Sequence, residues 1–225
     1  MLRAAVVTAA TAALDPTRKN LLQRRIRLVV GVTITYNVIE AIIALGAGSV
    51  ASSAALIAFG LDSIVEVMSA VAVAWQFTAA DPEGRERTAL RVIALAFFAL
   101  AIYVTVDALL SLTGVRGAEH SSVGIILAAV SLVVMPGLSW FERRTGLELG
   151  SASAVADSKQ TLICSYLSAA LLVGLLLNSL LGWAWADSLA ALVIAAFAVR
   201  EGLEAWRGDA CTVPIAALTG ERTVD

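Results

Sequence analysis

Two acidic residues lie four positions apart in the middle of a long apolar stretch of the sequence. Asp62 and Glu66 fall on one face of the helix that such a stretch forms, because residues i and i+4 of an α-helix are neighbours. Two carboxylates in apolar surroundings repel each other unless a cation or protons neutralise them. Oxygen ligands at this spacing can share one divalent ion. The pair predicts a cation site, and the alternative is two protonated or hydrogen-bonded acids inside a helix bundle.

A second polar stripe lies at the start of the fifth apolar stretch. Asp157, Gln160 and Cys164 are spaced i, i+3 and i+7, which places them on one helix face. A thiolate suits zinc, cadmium or copper(I), carboxylates suit harder ions, and zinc accepts both kinds of ligand. These three residues are therefore a second candidate for metal binding. For Cys164 the alternative is a small apolar core residue, as most free cysteines are.

Other polar residues in the apolar stretches show weaker patterns. Asn37 and Glu40 are spaced i and i+3, and Glu40 could pair with a polar group on the second or fifth helix or line a water path. Asp187 is expected to cap the sixth helix, at whose start it lies. Asp107 is expected near the outer interface, and the single histidine, His120, on the surface. These positions are secondary candidates beside the two stripes.

These residues lie in or beside six apolar stretches, each long enough to cross a membrane as a helix. About 20 helical residues cross a bilayer core of about 30 Å. The chain is 59% hydrophobic and 15% charged, with a mean hydropathy of +0.85, so its solvent is partly lipid. The expected spans are 28–45, 52–77, 89–112, 123–140, 161–181 and 183–206. Long runs rich in Ala and Leu favour helices over strands. The predicted fold is an all-α membrane protein, a bundle of six transmembrane helices.

Short glycine-rich or polar segments are the expected connections between these helices. We expect a tight turn at 46–49 between the first two helices and another at Gly182 before the sixth. Residues 142–150 are expected to form the loop before the fifth helix.

Positive charges are distributed unevenly between the two sides of such a bundle. Every one of the 16 Lys and Arg residues except Arg116 falls on the side of the two chain ends. Cytoplasmic loops carry an excess of Lys and Arg, so both ends are expected in the cytoplasm and the helices in the cell (inner) membrane. The expected organisation is a cytoplasmic tail at 1–24, a transmembrane domain at 25–207 and a cytoplasmic tail at 208–225.

The sequence contains no recognisable catalytic motif. It has no HExxH, no P-loop, no dinucleotide fingerprint and no Ser–His pair within a span. We therefore expect no enzyme activity and no organic cofactor. A net charge of -2 does not indicate a nucleic-acid partner, so the expected surroundings are the lipid bilayer.

The acidic pair belongs to a longer pattern that resembles the cation diffusion facilitator (cation efflux) family. The resemblance lies in Asn37-x-x-Glu40, in Leu45-x-x-Gly48-Ser49-x-x-x-Ser53-x-x-Leu56, in Asp62-Ser63-x-x-Glu66, in Ala156-Asp157 with Gln160 and Cys164, and in the segment 182–192. It implies a six-helix protein with cytoplasmic ends. It also implies that a divalent metal, usually zinc, binds at Asp62 and Glu66 and at Gln160 and Cys164, where the family has a histidine and an aspartate.

The resemblance further implies export of a divalent metal cation from the cytoplasm in exchange for protons. Zinc is the first expectation, followed by cadmium, manganese, iron and cobalt, and the ion is a substrate. The sequence is expected to be a short, membrane-only member without the family's C-terminal cytoplasmic domain, so a homodimer would form through the membrane helices. Two alternatives stay open: a non-transporting membrane protein that binds metal or assembles with a partner, and an exporter of organic cations using Glu40 and Asp62.

Overall fold

Six α-helices make up almost all of the chain that the structure describes. The structure is a computed structural model, and it describes residues 16–76, 82–113, 118–149 and 152–207. The helices are α1 (Pro16–Ala51), α2 (Ala54–Gln76), α3 (Pro82–Leu112), α4 (Ser122–Leu149), α5 (Ala152–Leu181) and α6 (Ala184–Arg207). No strand occurs within these four ranges, in agreement with the predicted all-α fold. The tail predicted at 208–225 and most of the one at 1–24 lie outside the described residues.

Four helices in the described ranges are long and apolar enough by themselves to cross a membrane. They are Asn20–Ala51 of α1, Arg87–Leu112 of α3, Ser122–Glu148 of α4 and Thr161–Leu181 of α5. The central helix is α2, which contacts α1, α3, α5 and α6, and the most extensive contacts of α6 are with α3. Acidic side chains in a membrane face the bundle interior rather than lipid, so the central place of α2 suits its two acids.

The outer surface of the bundle is apolar, and several of its acidic side chains are buried. Ile42 of α1 and Ile102 of α3 expose 69% and 67% of their surface, whereas Glu40, Asp62 and Asp187 are almost fully enclosed. A lipid solvent favours this distribution. Apolar side chains can face lipid without a cost in free energy, whereas charged side chains that face lipid lose their hydration.

The predicted turn at 46–49 is wrong, because α1 continues through this segment to Ala51. Gly48 serves a close helix contact instead: a Cβ atom there would lie 2.9 Å from both Cγ1 and N of Ile57 on α2. Small residues allow such approaches between membrane helices, and a glycine within a helix does not by itself end it. The chain reverses at Ser52, which has a left-handed φ of 51°, and at Ser53, whose N–H donates to the Gly48 carbonyl over 3.0 Å.

The predicted loop at 142–150 is also wrong, because α4 extends to Leu149. Hydropathy marks only the part of a helix that lies in lipid, and this polar segment continues the helix beyond that part. Arg144 forms an ion pair with Glu148 one turn later, at 3.7 Å, and its guanidinium lies 5.5 Å from the Trp140 ring centroid. Arg18 of α1 also reaches Glu148, at 3.3 Å, so the extended ends of α1 and α4 contact each other.

The turn predicted at Gly182 is confirmed. Its φ is +68°, a left-handed conformation that glycine adopts without strain, and its N–H donates to the Asn178 carbonyl at 3.0 Å. The rings of Trp183 and Trp185 stack immediately after it, with centroids 5.2 Å apart. The short turn keeps α5 and α6 adjacent and antiparallel.

Candidate metal centre

The two acids of α2 lie one turn apart inside the bundle. The helix begins at a cap in which the Leu56 N–H donates to the Ser53 hydroxyl oxygen at 3.1 Å. From there it continues without interruption past Asp62, which is buried, and Glu66, which is partly buried. Their carboxylates interact electrostatically, as the i, i+4 spacing requires.

Glu66 connects three helices through its two carboxylate oxygens. The Asn37 side-chain amide of α1 donates to Oε2 over 2.7 Å, and the Cys164 thiol of α5 donates to Oε1. The structure thus brings together Glu66 and Cys164, two of the five predicted site residues. Sequence reasoning noted Asn37 only for its spacing to Glu40, because a contact between two helices cannot be read from the periodicity of one.

Asp62 differs from Glu66 in having no hydrogen-bond donor. Within the described part of the chain, no group donates to its carboxylate, although only 7% of the residue is exposed. Its electrostatic neighbours are the acids Glu40 and Glu66 and, on α6, Glu201. A buried carboxylate surrounded by other acids and lacking donors is suited to a cation or a proton.

The remaining predicted ligands, Asp157 and Gln160, belong to the first half of α5. Their backbone is part of this helix, but their side chains lie outside the described part of the structure. Among the side chains that are described, no three of the His, Cys, Asp and Glu type are grouped closely enough to hold a metal ion. Asp62, Glu66 and Cys164 are the predicted ligands whose side chains are described, and of these only Glu66 and Cys164 share a hydrogen bond.

Glu40 lies in a separate network of hydroxyl groups. Its Oε2 accepts from the Ser63 hydroxyl of α2 at 2.9 Å, and its Oε1 accepts from the Ser131 hydroxyl of α4. The Tyr36 hydroxyl lies 2.7 Å from the Ser131 oxygen and extends the network. The partners are on α2 and α4, whereas the sequence suggested α2 or α5. The hydroxyl groups within apolar stretches of the sequence could have indicated such a network. Their partners could not be predicted, because they depend on how the helices pack.

Asp187 caps α2 rather than its own helix, so the predicted cap on α6 is wrong. Its fully buried carboxylate accepts from the Ser53 hydroxyl at 2.5 Å and from the Ala55 N–H at 3.2 Å. A negative charge at the N-terminus of a helix is favourable because the helix dipole is positive there. This contact attaches the start of α2 to the start of α6.

His120 is exposed, as predicted, and lies just before α4. Its Nδ1 and Nε2 atoms form hydrogen bonds with the hydroxyls of Ser179, at 2.5 Å, and Ser122, at 2.9 Å. Asp107 is partly buried near the end of α3. Both residues lie close to the connection between α3 and α4.

A comparison with known families identifies this arrangement of helices. Residues 28–207, most of the chain, match the cation efflux transmembrane domain. The chain belongs to the cation efflux family. One relative is the "Uncharacterized transporter sll1263" of Synechocystis sp. (strain ATCC 27184 / PCC 6803 / Kazusa), 28% identical over 158 residues, which are 66% of this chain and 51% of the relative. The chain spans about half the length of this curated relative.

Membership in the cation efflux family confirms several of the sequence predictions. It confirms the resemblance drawn from the acidic pair, the all-α bundle of membrane-spanning helices, and a protein of the transporter class rather than an enzyme. The surroundings of such a domain are the lipid bilayer and the cations that it handles.

Proposed function

We propose that this cation efflux protein transports a divalent metal cation and that zinc is its preferred substrate. The observation that carries the proposal is the position of Glu66, held inside the bundle between the Cys164 thiol and the Asn37 amide, one turn from Asp62. Ionisable side chains within membrane helices mark ion pathways by default, because their burial is unfavourable. Here they lie where α2 contacts α5.

The types of donor atom support zinc over a purely hard cation. Asp62 and Glu66 offer carboxylate oxygens and Cys164 offers sulfur, a combination that zinc accepts. Calcium and magnesium prefer oxygen ligands alone. Cadmium, which also binds thiolates well, is the second candidate. Asp157 and Gln160 are proposed to complete the ligand set from α5.

The hydrogen bond between Cys164 and Glu66 supports exchange of the cation for protons. A thiol becomes a metal ligand only as the thiolate, so zinc binding releases the proton that the thiol shares with Glu66 Oε1. Zinc arriving from one side would displace this proton, and protons on the other side would displace zinc. Antiport is the simplest transport cycle that uses both reactions.

The proposed direction of transport follows from antiport and the proton gradient across the membrane. With both ends in the cytoplasm of a cell whose inner membrane holds the protein, an inward proton gradient drives metal out. We further propose that two copies associate through their membrane helices, since the apolar exterior of the bundle offers such contact surfaces. Light scattering of the detergent-solubilised protein, corrected for detergent, measures whether the particle contains one chain or two.

Reconstitution into proteoliposomes tests the proposed transport. Vesicles with an acidic interior should accumulate zinc, detected by an internal zinc dye, and their pH gradient should decay faster when zinc is added. Asp62→Asn keeps the size of the side chain and removes its charge, so we expect the initial rate to fall about tenfold or more. Glu119→Gln, which changes an exposed acid before α4, is the matched control and should transport normally.

Two results would contradict the proposal. One is a wild-type protein that moves no zinc, cadmium or manganese under a proton gradient. The other is Asp62→Asn transport at the wild-type rate. If calorimetry still detected zinc binding by a protein that does not transport, a non-transporting metal-binding membrane protein would become the better description.

A further inference from the structure

Among the side chains that the structure describes, the Asn37 amide contacts an acid of α2. It lies in the middle of α1, 4% exposed, and its Nδ2 atom donates to Glu66 Oε2 at 2.7 Å. Its side chain is uncharged, and it is not among the metal-binding positions that the family resemblance implies. Its contact with Glu66 nevertheless brings it to the centre of the proposed transport site.

The carboxylate determines which way the Asn37 amide faces. An ionised carboxylate only accepts hydrogen bonds, so the NH₂ end of the amide must point at Glu66 and the carbonyl end must point elsewhere. That carbonyl oxygen, Oδ1, is buried and has no hydrogen-bond partner among the residues that the structure describes. A buried acceptor without a partner is unfavourable, and one reason for its presence is an ion that binds there.

The other donor atoms near Glu66 show what such an oxygen could contribute. The described His, Cys, Asp and Glu side chains do not supply a group of three that could hold a metal ion. An amide oxygen is a ligand of a different type, neutral and hard, and adds no further repulsion to two neighbouring acids.

The contact between α1 and α2 keeps Asn37 at this position. One turn away, Ser63 donates to Glu40 at 2.9 Å, so two polar contacts join the antiparallel helices in the same register. Further along, Gly48 lies against Ile57, and a Cβ atom there would be 2.9 Å from two Ile57 atoms. Asn37 is therefore held against Glu66 by several contacts and not by its own hydrogen bond alone.

We infer that Asn37 is a specificity-determining ligand, whose Oδ1 binds the transported cation beside Glu66. The inference rests on the proposed function and adds to it a residue from a third helix. A hard ligand favours hard ions, so Asn37 raises the affinity for manganese and zinc relative to cadmium. This role predicts a change in selectivity, which a purely structural role for the amide does not.

Calorimetry on the full-length protein in detergent tests the inference by the ratio of its manganese and cadmium affinities. Asn37→Leu has a similar volume and no oxygen, and we expect it to lose about tenfold in manganese affinity and much less in cadmium affinity. Asn37→Asp retains an oxygen and should recover the manganese affinity. Asn178→Leu is the control, because this buried amide donates to the Ala118 carbonyl instead, and its ratio should equal that of the wild type.

An unchanged affinity ratio in Asn37→Leu would overturn the inference, whether both affinities fall together or neither changes. If that variant does not fold, a measurement on the wild type decides. The chain has asparagine only at 20, 37 and 178, so labelling asparagine with ¹⁵N gives three side-chain amide signals, and cadmium should shift the one from Asn37, whereas paramagnetic manganese should broaden it. No shift overturns the inference.

Failure of this inference can be told apart from failure of the proposed function. A wild-type protein that binds cations but does not transport them contradicts transport alone, and the affinity ratio is still measurable. A wild-type protein that binds none of zinc, manganese and cadmium contradicts both.

Discussion

Three acids inside the same bundle have very different surroundings. Glu40 accepts from the Ser63 and Ser131 hydroxyls, Glu66 accepts from an amide and a thiol, and no described group donates to Asp62. Hydroxyl groups stay protonated and continue to donate hydrogen bonds to a carboxylate. A thiol, in contrast, can lose its proton and become a metal ligand as the thiolate. The differences favour a structural role for Glu40 and support the proposed binding role of Glu66 and Asp62.

Replacing the sulfur ligand should alter which cation binds. We expect Cys164→Ser to lower cadmium and zinc affinity about tenfold or more and manganese affinity less, because a hydroxyl is a poor ligand for soft ions. Calorimetry with each metal measures this. Cys211→Ser removes the other cysteine of the chain and is the control. Equal affinities in Cys164→Ser and wild type would show that Cys164 is only a small core residue.

Removing a hydroxyl from the Glu40 network should reduce stability without affecting cation binding. Ser131→Ala removes the hydroxyl that hydrogen-bonds to both Glu40 Oε1 and the Tyr36 hydroxyl, at a cost of about 1–3 kcal/mol. Thermal unfolding in detergent should show a lower midpoint, and zinc affinity should stay within about twofold of wild type. Ser49→Ala, an exposed serine on α1, is the control. A loss of zinc affinity in Ser131→Ala would place Glu40 in the binding site.

At the scale of the helices, the contact between α1 and α2 decides which side chains meet. Gly48 and Gly60 allow the two helices to approach, since a Cβ atom on either would lie within about 3 Å of the other helix. With this register, Asn37 lies opposite Glu66 and Glu40 lies opposite Ser63. A change of register by one residue would separate both pairs.

Substituting alanine for either of two glycines of α1 should therefore have different effects on the stability of the protein. Gly48→Ala places a methyl group against Ile57 and should destabilise the protein by about 1–3 kcal/mol. Gly46→Ala meets nothing within 4 Å and should be neutral or slightly stabilising, because alanine is the better helix former. The thermal midpoints of the two variants provide the measurement. Equal midpoints would mean that the close contact at Gly48 does not support the register.

The limits of the sequence predictions also arise at this scale. Asp62, Glu66 and Cys164 were identifiable because a polar group in an apolar stretch is conspicuous. The full length of α4 was not identifiable, because hydropathy marks only the apolar part of a helix. The position of the turn after α1 was not identifiable either, because glycine can serve a close helix contact as well as a turn. The contacts of Asn37 and Ser131 with acids on other helices depend on register, which forms only when side chains from different helices meet.

For the whole molecule, the distribution of charge matches an even number of crossings. Six helices are described, their surface is apolar, and the chain belongs to a family of membrane transporters. Residues on the predicted cytoplasmic side include the extended ends of α1 and α4, where Arg18 contacts Glu148.

An even number of crossings predicts that the start of α1 and the end of α6 lie on the same side of the membrane. Green fluorescent protein fused to either end should fluoresce in bacterial cells, because it folds in the cytoplasm, and alkaline phosphatase fused to either end should be inactive. Alkaline phosphatase fused at Arg116, in the loop that is expected outside the cytoplasm, is the positive control and should be active. One fluorescent and one silent fusion would contradict the six-helix topology.

The Asp187 cap has a mechanical consequence. It attaches the first turn of α2 to α6 through Ser53 and Ala55, so any tilt of α2 that preserves the cap is a rotation about that end. Glu66 lies about 18 Å along the helix from this pivot and Gln76 about 33 Å, at 1.5 Å per residue. A tilt of about 10° would then displace Glu66 by about 3 Å and Gln76 by about 6 Å. In such a tilt the helix would act as a lever, with its largest displacement at the Gln76 end.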